Sequence, residues 1–239
     1  MSITKFKSHH LKQVTYVVLG LFLLVGATAC SSTSNTLSNT NTSSGSQSEL
    51  EELYWARQDS ARMNFTEADV KFMTGMIAHH AQALIMSRLA PENHASPQVQ
   101  TLTSRIINAQ KDEIKTMQAW LRDRGQPVPE IHIDGLELTI TGVSDKPMKV
   151  DHTKMAGILS PQQLKELSEA EGKEFDRLFL KYMIYHHKGA VTMVEKLVNT
   201  DGAAQDEAAF KLASDIQVDQ RTEIDRMRLM LEQLSDASR

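Results

Sequence analysis

Between residues 66 and 89 the side chains Phe72, Met76, His79, Ala83 and Met86 step by 4, 3, 4 and 3 positions, the spacing of one helical core seam. The same frame returns 107 residues later in Phe179, Met183, His186, Ala190 and Met193. Thr66 reads as an N-cap with Asp69 three residues on, and this helix runs to about Leu89 before Pro91 stops it. Ser96-Pro97 starts a second helix that Gly125 and Pro127 end after Arg124. Residues 126–150 alternate weakly, through Ile131-His132-Ile133 and Leu136-Glu137-Leu138-Thr139-Ile140, which suits a small hairpin or an ordered loop. Ser160-Pro161 opens a short helix, a third long helix covers roughly Ser168 to Val198, and a fourth runs from about Ala203 to Leu234. A leading helix over Glu49 to Met63 would use Leu50, Leu53 and Trp55 as its apolar contacts.

The partner helices repeat as well. Gln110-x-x-Glu113-Ile114-x-x-Met117 returns as Gln220-x-x-Glu223-Ile224-x-x-Met227, at an offset of 110. The repeating unit is therefore a helical hairpin, and neither copy can bury its apolar stripe alone. Two copies packed together predict an all-α protein, a four-helix bundle over residues 64–235. Repeat one is 64–125, an irregular segment follows over 126–160, and repeat two is 161–235.

The frame carries candidate chemistry. Each first helix holds a His-His pair, His79-His80 and His186-His187, four of the nine histidines in the chain. A buried imidazole must find partners for its nitrogens, so two such pairs at matching offsets point to a site. Asp69, Met76 and His80 fall within about 40° of one another around the helix, as do Asp176, Met183 and His187. Glu113 and Glu223 share faces with their neighbouring glutamines. The candidate metal-site residues are thus His79, His80, His186, His187, Met76, Met183, Asp69, Asp176, Glu113 and Glu223. A third long helix starting near Ser168 would put Asp176 two turns inside it. Capping would then account for Asp69 alone, whereas orienting an imidazole or ligating a metal would account for both aspartates. Imidazole with thioether and no thiolate suits copper, especially Cu(I), with zinc as the competitor. The alternative is a structural or interaction bundle in which His, Glu and Gln form a buried network and no metal binds. A metal-dependent oxidoreductase is a third reading. The di-iron Glu-x-x-His motif is missing, since Thr116 and Arg226 stand three residues after Glu113 and Glu223. No Gly-x-Ser-x-Gly, P-loop, dinucleotide or Cys-x-x-Cys pattern occurs, so no catalytic residue is assigned and the chain is not read as an enzyme.

Composition adds an address. Lys5, Lys7 and Lys12 precede an apolar run from Val14 to Val25 that is short for a membrane span, and Ala27-Thr28-Ala29-Cys30 closes it. Residues 1–29 read as a lipoprotein signal peptide, with Cys30, the only cysteine, as the lipidation site. The Ser/Thr/Asn-rich residues 30–48 read as a disordered tether to the membrane. The protein is expected outside the cytoplasm, anchored to a bacterial envelope membrane, with Ser31 after the cysteine suggesting the outer one. A net charge of −4 and no basic stripe argue against nucleic acid, and no protein partner is indicated.

The sequence resembles the DUF305 family. The resemblance rests on Met-Ile-x-His-His-x-x-Ala at Met76–Ala83 and Met183–Ala190, on Gly172-x-x-Phe175-Asp176-x-x-Phe179, and on Gln-x-x-Glu-Ile-x-x-Met in both hairpins. It covers roughly Asn64 to Leu234 and implies an exported bacterial protein with a ferritin-like helical bundle. Some members are associated with periplasmic copper binding, which the resemblance implies here. Metal-rich relatives carry dense His/Met tracts, whereas the inter-repeat segment has only scattered His132, Met148, His152 and Met155.

Overall fold

A computed structural model describes residues 43–142 and 154–236, with side chains from residue 46 onward; residues 1–42, 143–153 and 237–239 lie outside the description. The signal peptide, Cys30, most of the tether, Met148 and His152 therefore fall outside the described residues. Helices dominate: α1 Ser43–Arg62, α2 Glu67–Arg88, α3 Pro97–Asp123, α4 Pro161–Glu169, α5 Gly172–Val198 and α6 Glu207–Asp236. One antiparallel hairpin interrupts them, β1 Pro129–Asp134 with β2 Glu137–Gly142, turning at Gly135 with φ +55°. The weak alternation over 131–140 thus becomes a paired hairpin rather than a loop.

Local chemistry sets most boundaries. Thr66 and Asp69 form a reciprocal capping box at α2, and Ser96 caps α3 ahead of Pro97. Ser160 and Gln163 do the same for α4. Helix pairs α2–α3 and α5–α6 pack most extensively, and the two hairpins meet chiefly through α2 against α5. The β-hairpin lies on α2 as well. Helix α2 is consequently buried on almost every face from Phe72 to Ser87, not along one seam alone.

Three expectations change. The leading helix extends back to Ser43, so the last six residues of the expected tether are helical. Its Leu50, Leu53 and Trp55 are not packing contacts: each is more than 60% exposed. The third long helix does not run from Ser168. The chain breaks after α4 and restarts at Gly172, whose φ is +57°. The break is held from a distance. Asn93 donates its amide to the carbonyls of Ser168 and Ala170, at 2.8 and 2.6 Å, and accepts the Gly172 N–H at 2.9 Å on its own carbonyl.

Because α2 and α5 also pack against each other across the two hairpins, we expect the residue 64–125 hairpin expressed alone to be poorly folded or self-associating. Circular dichroism melting with sedimentation checks this, and a monomeric half that melts cooperatively would contradict it.

Candidate metal centre

Helices α2 and α5 cross with their His-His pairs facing, and all four imidazoles are fully buried. The His79 and His186 rings sit 3.9 Å apart between centroids, tilted by 39°. Their neighbours His80 and His187 lie 6.4 and 6.1 Å from them. The sequence duplication thus becomes a spatial one, two pairs meeting at the helix crossing.

Each ring has one nitrogen engaged. His80 Nε2 donates to Glu113 Oε2 at 2.6 Å, and His187 Nε2 donates to Glu223 Oε2 at 2.6 Å, a matched pair across the repeat. His79 Nε2 donates to the Ala156 carbonyl at 3.0 Å, and His186 Nε2 to the His79 carbonyl at 3.1 Å. A carbonyl can only accept, so the proton of His79 and of His186 sits on Nε2. In all four rings Nδ1 is buried and, among the described residues, has no hydrogen-bond partner. Burial pushes His79 down to about 3, helped by its histidine neighbours, and holds His186 well below the usual range for the same reasons. Both are therefore neutral near pH 7 and present bare Nδ1 lone pairs.

The other predicted residues divide. Glu113 and Glu223 hold imidazoles, with 13% and 19% of their side chains exposed. Met76 and Met183 are fully buried on the two sides of the crossing. Asp69 and Asp176 have other partners: among the described residues, neither carboxylate is hydrogen-bonded to a histidine. Asp69 accepts from the Thr66 N–H and hydroxyl and, at 2.7 Å, from the Ala204 N–H in the α5–α6 loop. Asp176 accepts from the Ser96 N–H, at 3.1 and 3.3 Å, in the α2–α3 loop. Each aspartate thus fastens the loop of the opposite hairpin. The Gly172 start puts Asp176 near a helix N-terminus like Asp69, so one role serves both copies. Ala204 has φ +54°, a left-handed backbone costing roughly 1–2 kcal/mol that the bond to Asp69 helps hold. Among the described residues, no three His, Cys, Asp or Glu side chains are arranged to hold a metal ion together, which narrows the ten-residue ligand set.

Four contributors were missed by the sequence reading. Residues 154–159 run as a strap over the crossing, where Ala156 supplies the carbonyl for His79. Gln82 clamps the strap, donating to the Leu159 carbonyl at 3.0 Å and accepting its N–H at 2.8 Å. Gly157, with φ +79°, lies on Gly189 of α5. A Cβ at Gly189 would stand 2.1 Å from the Ala156 carbonyl oxygen, so only glycine admits the strap. The available signal was Gly189 itself, a mid-helix glycine that costs about 1 kcal/mol against alanine and marks a close approach. Gln110 and Gln220, one turn before Glu113 and Glu223, are also buried, and among the described residues both amide atoms of Gln110 and Oε1 of Gln220 lack partners.

The model for Domain of unknown function (DUF305) matches residues 69–231. A crystallised DUF305 fragment from Deinococcus radiodurans shares 30% identity over 71% of this chain and 98% of its own, with a TM-score of 0.57. A DUF305 protein from Streptomyces coelicolor, described as a predicted secreted protein, shares 26% identity over 70% of this chain and 94% of its own, with a TM-score of 0.55. CopM in its Cu(II)-bound form shares 27% identity over 69% of this chain and 96% of its own, with a TM-score of 0.50. No curated protein sequence matches the chain.

Keeping buried imidazoles neutral has a measurable consequence. Unfolded histidines protonate near 6.5, while folded His79 does so only near 3. The unfolded chain therefore binds more protons between those values, and stability falls as pH falls through that window. We expect metal-free protein to lose stability from pH 7 to pH 5. The double variant His79→Asn/His186→Asn should show a slope shallower by up to roughly 2.7 kcal/mol per pH unit near pH 5. Urea unfolding across pH measures both slopes, and equal slopes would contradict the assignment.

Proposed function

The chain belongs to the DUF305 family, and from that premise we propose that it is an extracytoplasmic copper-handling protein whose cargo binds at the α2–α5 crossing. One observation carries the proposal: four buried imidazoles with unpartnered Nδ1 atoms, each ring held by its other nitrogen. That is the arrangement that orients a histidine as a ligand, because a fixed Nε2–H aims and enriches the Nδ1 lone pair. The Cu(II)-bound CopM neighbour supports copper as the metal class. Within this reading Nδ1 of His79, His80, His186 and His187 and the thioethers of Met76 and Met183 are the candidate donors. Glu113 and Glu223 hold His80 and His187 in place, and Asp69 and Asp176 hold the loops rather than the metal. Imidazole and thioether donors without thiolate favour Cu(I), with zinc as the competitor. Neutral imidazoles also remove proton competition, so binding would not require displacing protons from His79 or His186 near neutral pH.

A second reading has its own observation. No three His, Cys, Asp or Glu side chains among the described residues form a ready metal site, so the histidines could serve only to specify packing. The double variant His80→Ala/His187→Ala separates the readings. Copper cargo predicts Cu(I) affinity lower by more than tenfold, at least about 1.4 kcal/mol, in a competition titration, with cooperative melting retained without metal. Unchanged affinity, or loss of cooperative melting in metal-free buffer, leaves the packing role. Met76→Leu/Met183→Leu is the backup, since it keeps volume while removing both thioethers.

The location is proposed from the N-terminal residues, with the predicted secretion of the Streptomyces coelicolor relative as support. Cys30 lies outside the described residues, and among the described ones no helix is long and apolar enough to cross a membrane. We expect Cys30→Ala to leave the precursor unprocessed or to move the protein out of the membrane fraction. Mass spectrometry with fractionation tests this, and unchanged mass and partitioning would remove the lipid anchor from the proposal.

A further inference from the structure

The two ends of the helical repeat are built from corresponding positions but filled differently. At the end where α2 begins, Trp120 is buried and donates to Asp206 Oδ1 at 3.0 Å. Phe65 meets its ring edge-on at 5.5 Å, and Arg124 lies 4.3 Å over it while pairing with Asp206. At the other end Phe65, Trp120, Arg124 and Asp206 correspond to Gly172, Met230, Leu234 and Ser96. The aromatic plug and its ion pair are both missing there. A cavity of about 510 Å³ takes their place, with Val99, Leu102, Leu180 and Met230 among its walls and Arg105 and Arg226 on its lining. Neither arginine has an ion pair among the described residues.

A matching surface stands elsewhere on the same chain. Every described side chain of α1 is exposed, and a 20-residue helix with no packed face is marginal in water. Trp55 is 62% exposed, with Glu51, Glu52 and Asp59 as its neighbours four before, three before and four after on the helix. Glu51 and Glu52 form no ion pair among the described residues. An indole flanked by carboxylates thus exists alongside a cavity that lacks an aromatic and carries two guanidiniums with no ion pair among the described residues.

We propose that the Gly172-end cavity is a self-association site that takes Trp55 of a second copy, with Glu51 and Glu52 facing Arg105 and Arg226. Trp55 of the same chain does not fill the cavity, since every described side chain of α1 is exposed. The contact joins two different surfaces, so reciprocal exchange closes a dimer while one-sided exchange propagates a chain. It does not depend on any bound metal.

The test is sedimentation velocity of the full chain in density-matched non-ionic detergent, read against the mass of a single chain as isolated. Wild type should self-associate, and Trp55→Ala should weaken this at least tenfold. Arg105→Glu/Arg226→Glu and Glu51→Lys/Glu52→Lys should each be monomeric at the same concentration, with unchanged melting. Mixing the two charge-reversed chains should restore association, because both contacts are then complementary again. A wild type that stays monomeric, charge reversals that associate like wild type, or a mixture that stays monomeric would each overturn the proposal.

Discussion

Burying four imidazoles where α2 crosses α5 imposes a constraint that reaches much of the fold. Each ring must place an N–H against an acceptor or bear the cost of a buried unsatisfied donor, about 1–3 kcal/mol apiece. Two rings find glutamates on the partner helix of their own hairpin, which fixes the face that α3 and α6 present. One finds a backbone carbonyl across the crossing, which ties α5 to α2. The last depends on the strap, and so links the inter-repeat segment to the centre. Solving the donor side this way leaves the Nδ1 acceptor side open. The packing explanation and the metal explanation therefore share their Nε2 contacts and part only at Nδ1.

The duplication is close to symmetric where the chemistry lies and departs from symmetry around it. His80–Glu113 and His187–Glu223 are matched, and Asp69 and Asp176 each fasten the opposite hairpin's loop. Position 82, however, is a glutamine that grips the strap, and its counterpart 189 is a glycine that makes room for it. One strap crossing a two-fold centre can satisfy only one histidine, so the repeats had to diverge there. The ends diverge too, one closed by Trp120 and Arg124 and the other left hollow. Duplicated hairpins thus supply a common core with two unlike surfaces.

Much of this was legible in the chain. Capping boxes, Pro at first helical positions and the 3–4 seam located α2, α3 and the start of α4 to within a residue or two, because those signals act between neighbours. The His pairs and their glutamates were legible because the same offsets occurred twice. The α4–α5 break was not, since the amide that holds it open belongs to Asn93, over seventy residues away. Misplacing that break in turn misread Asp176, which seemed too far inside a helix to serve a terminus. The exposure of α1 was hidden for a related reason: apolar side chains in a helix say that a face wants burial, not that this chain provides it.

By itself, then, the sequence determined what depends on local spacing: helical hairpins, their duplication, and a His-His pair on the first long helix of each repeat. Hydrogen bonds to a chain neighbour and the period of a helix are set within a few residues, so they can be read there. Only the tertiary structure decided which nitrogen of each imidazole is engaged, what the aspartates hold, and where the strap lies. Those outcomes follow from hydrogen-bonding partners brought within 2.6–3.1 Å by chain closure over 33 to 135 residues. A linear pattern carries no record of such distances, except where a glycine such as Gly189 keeps the space that another backbone will fill.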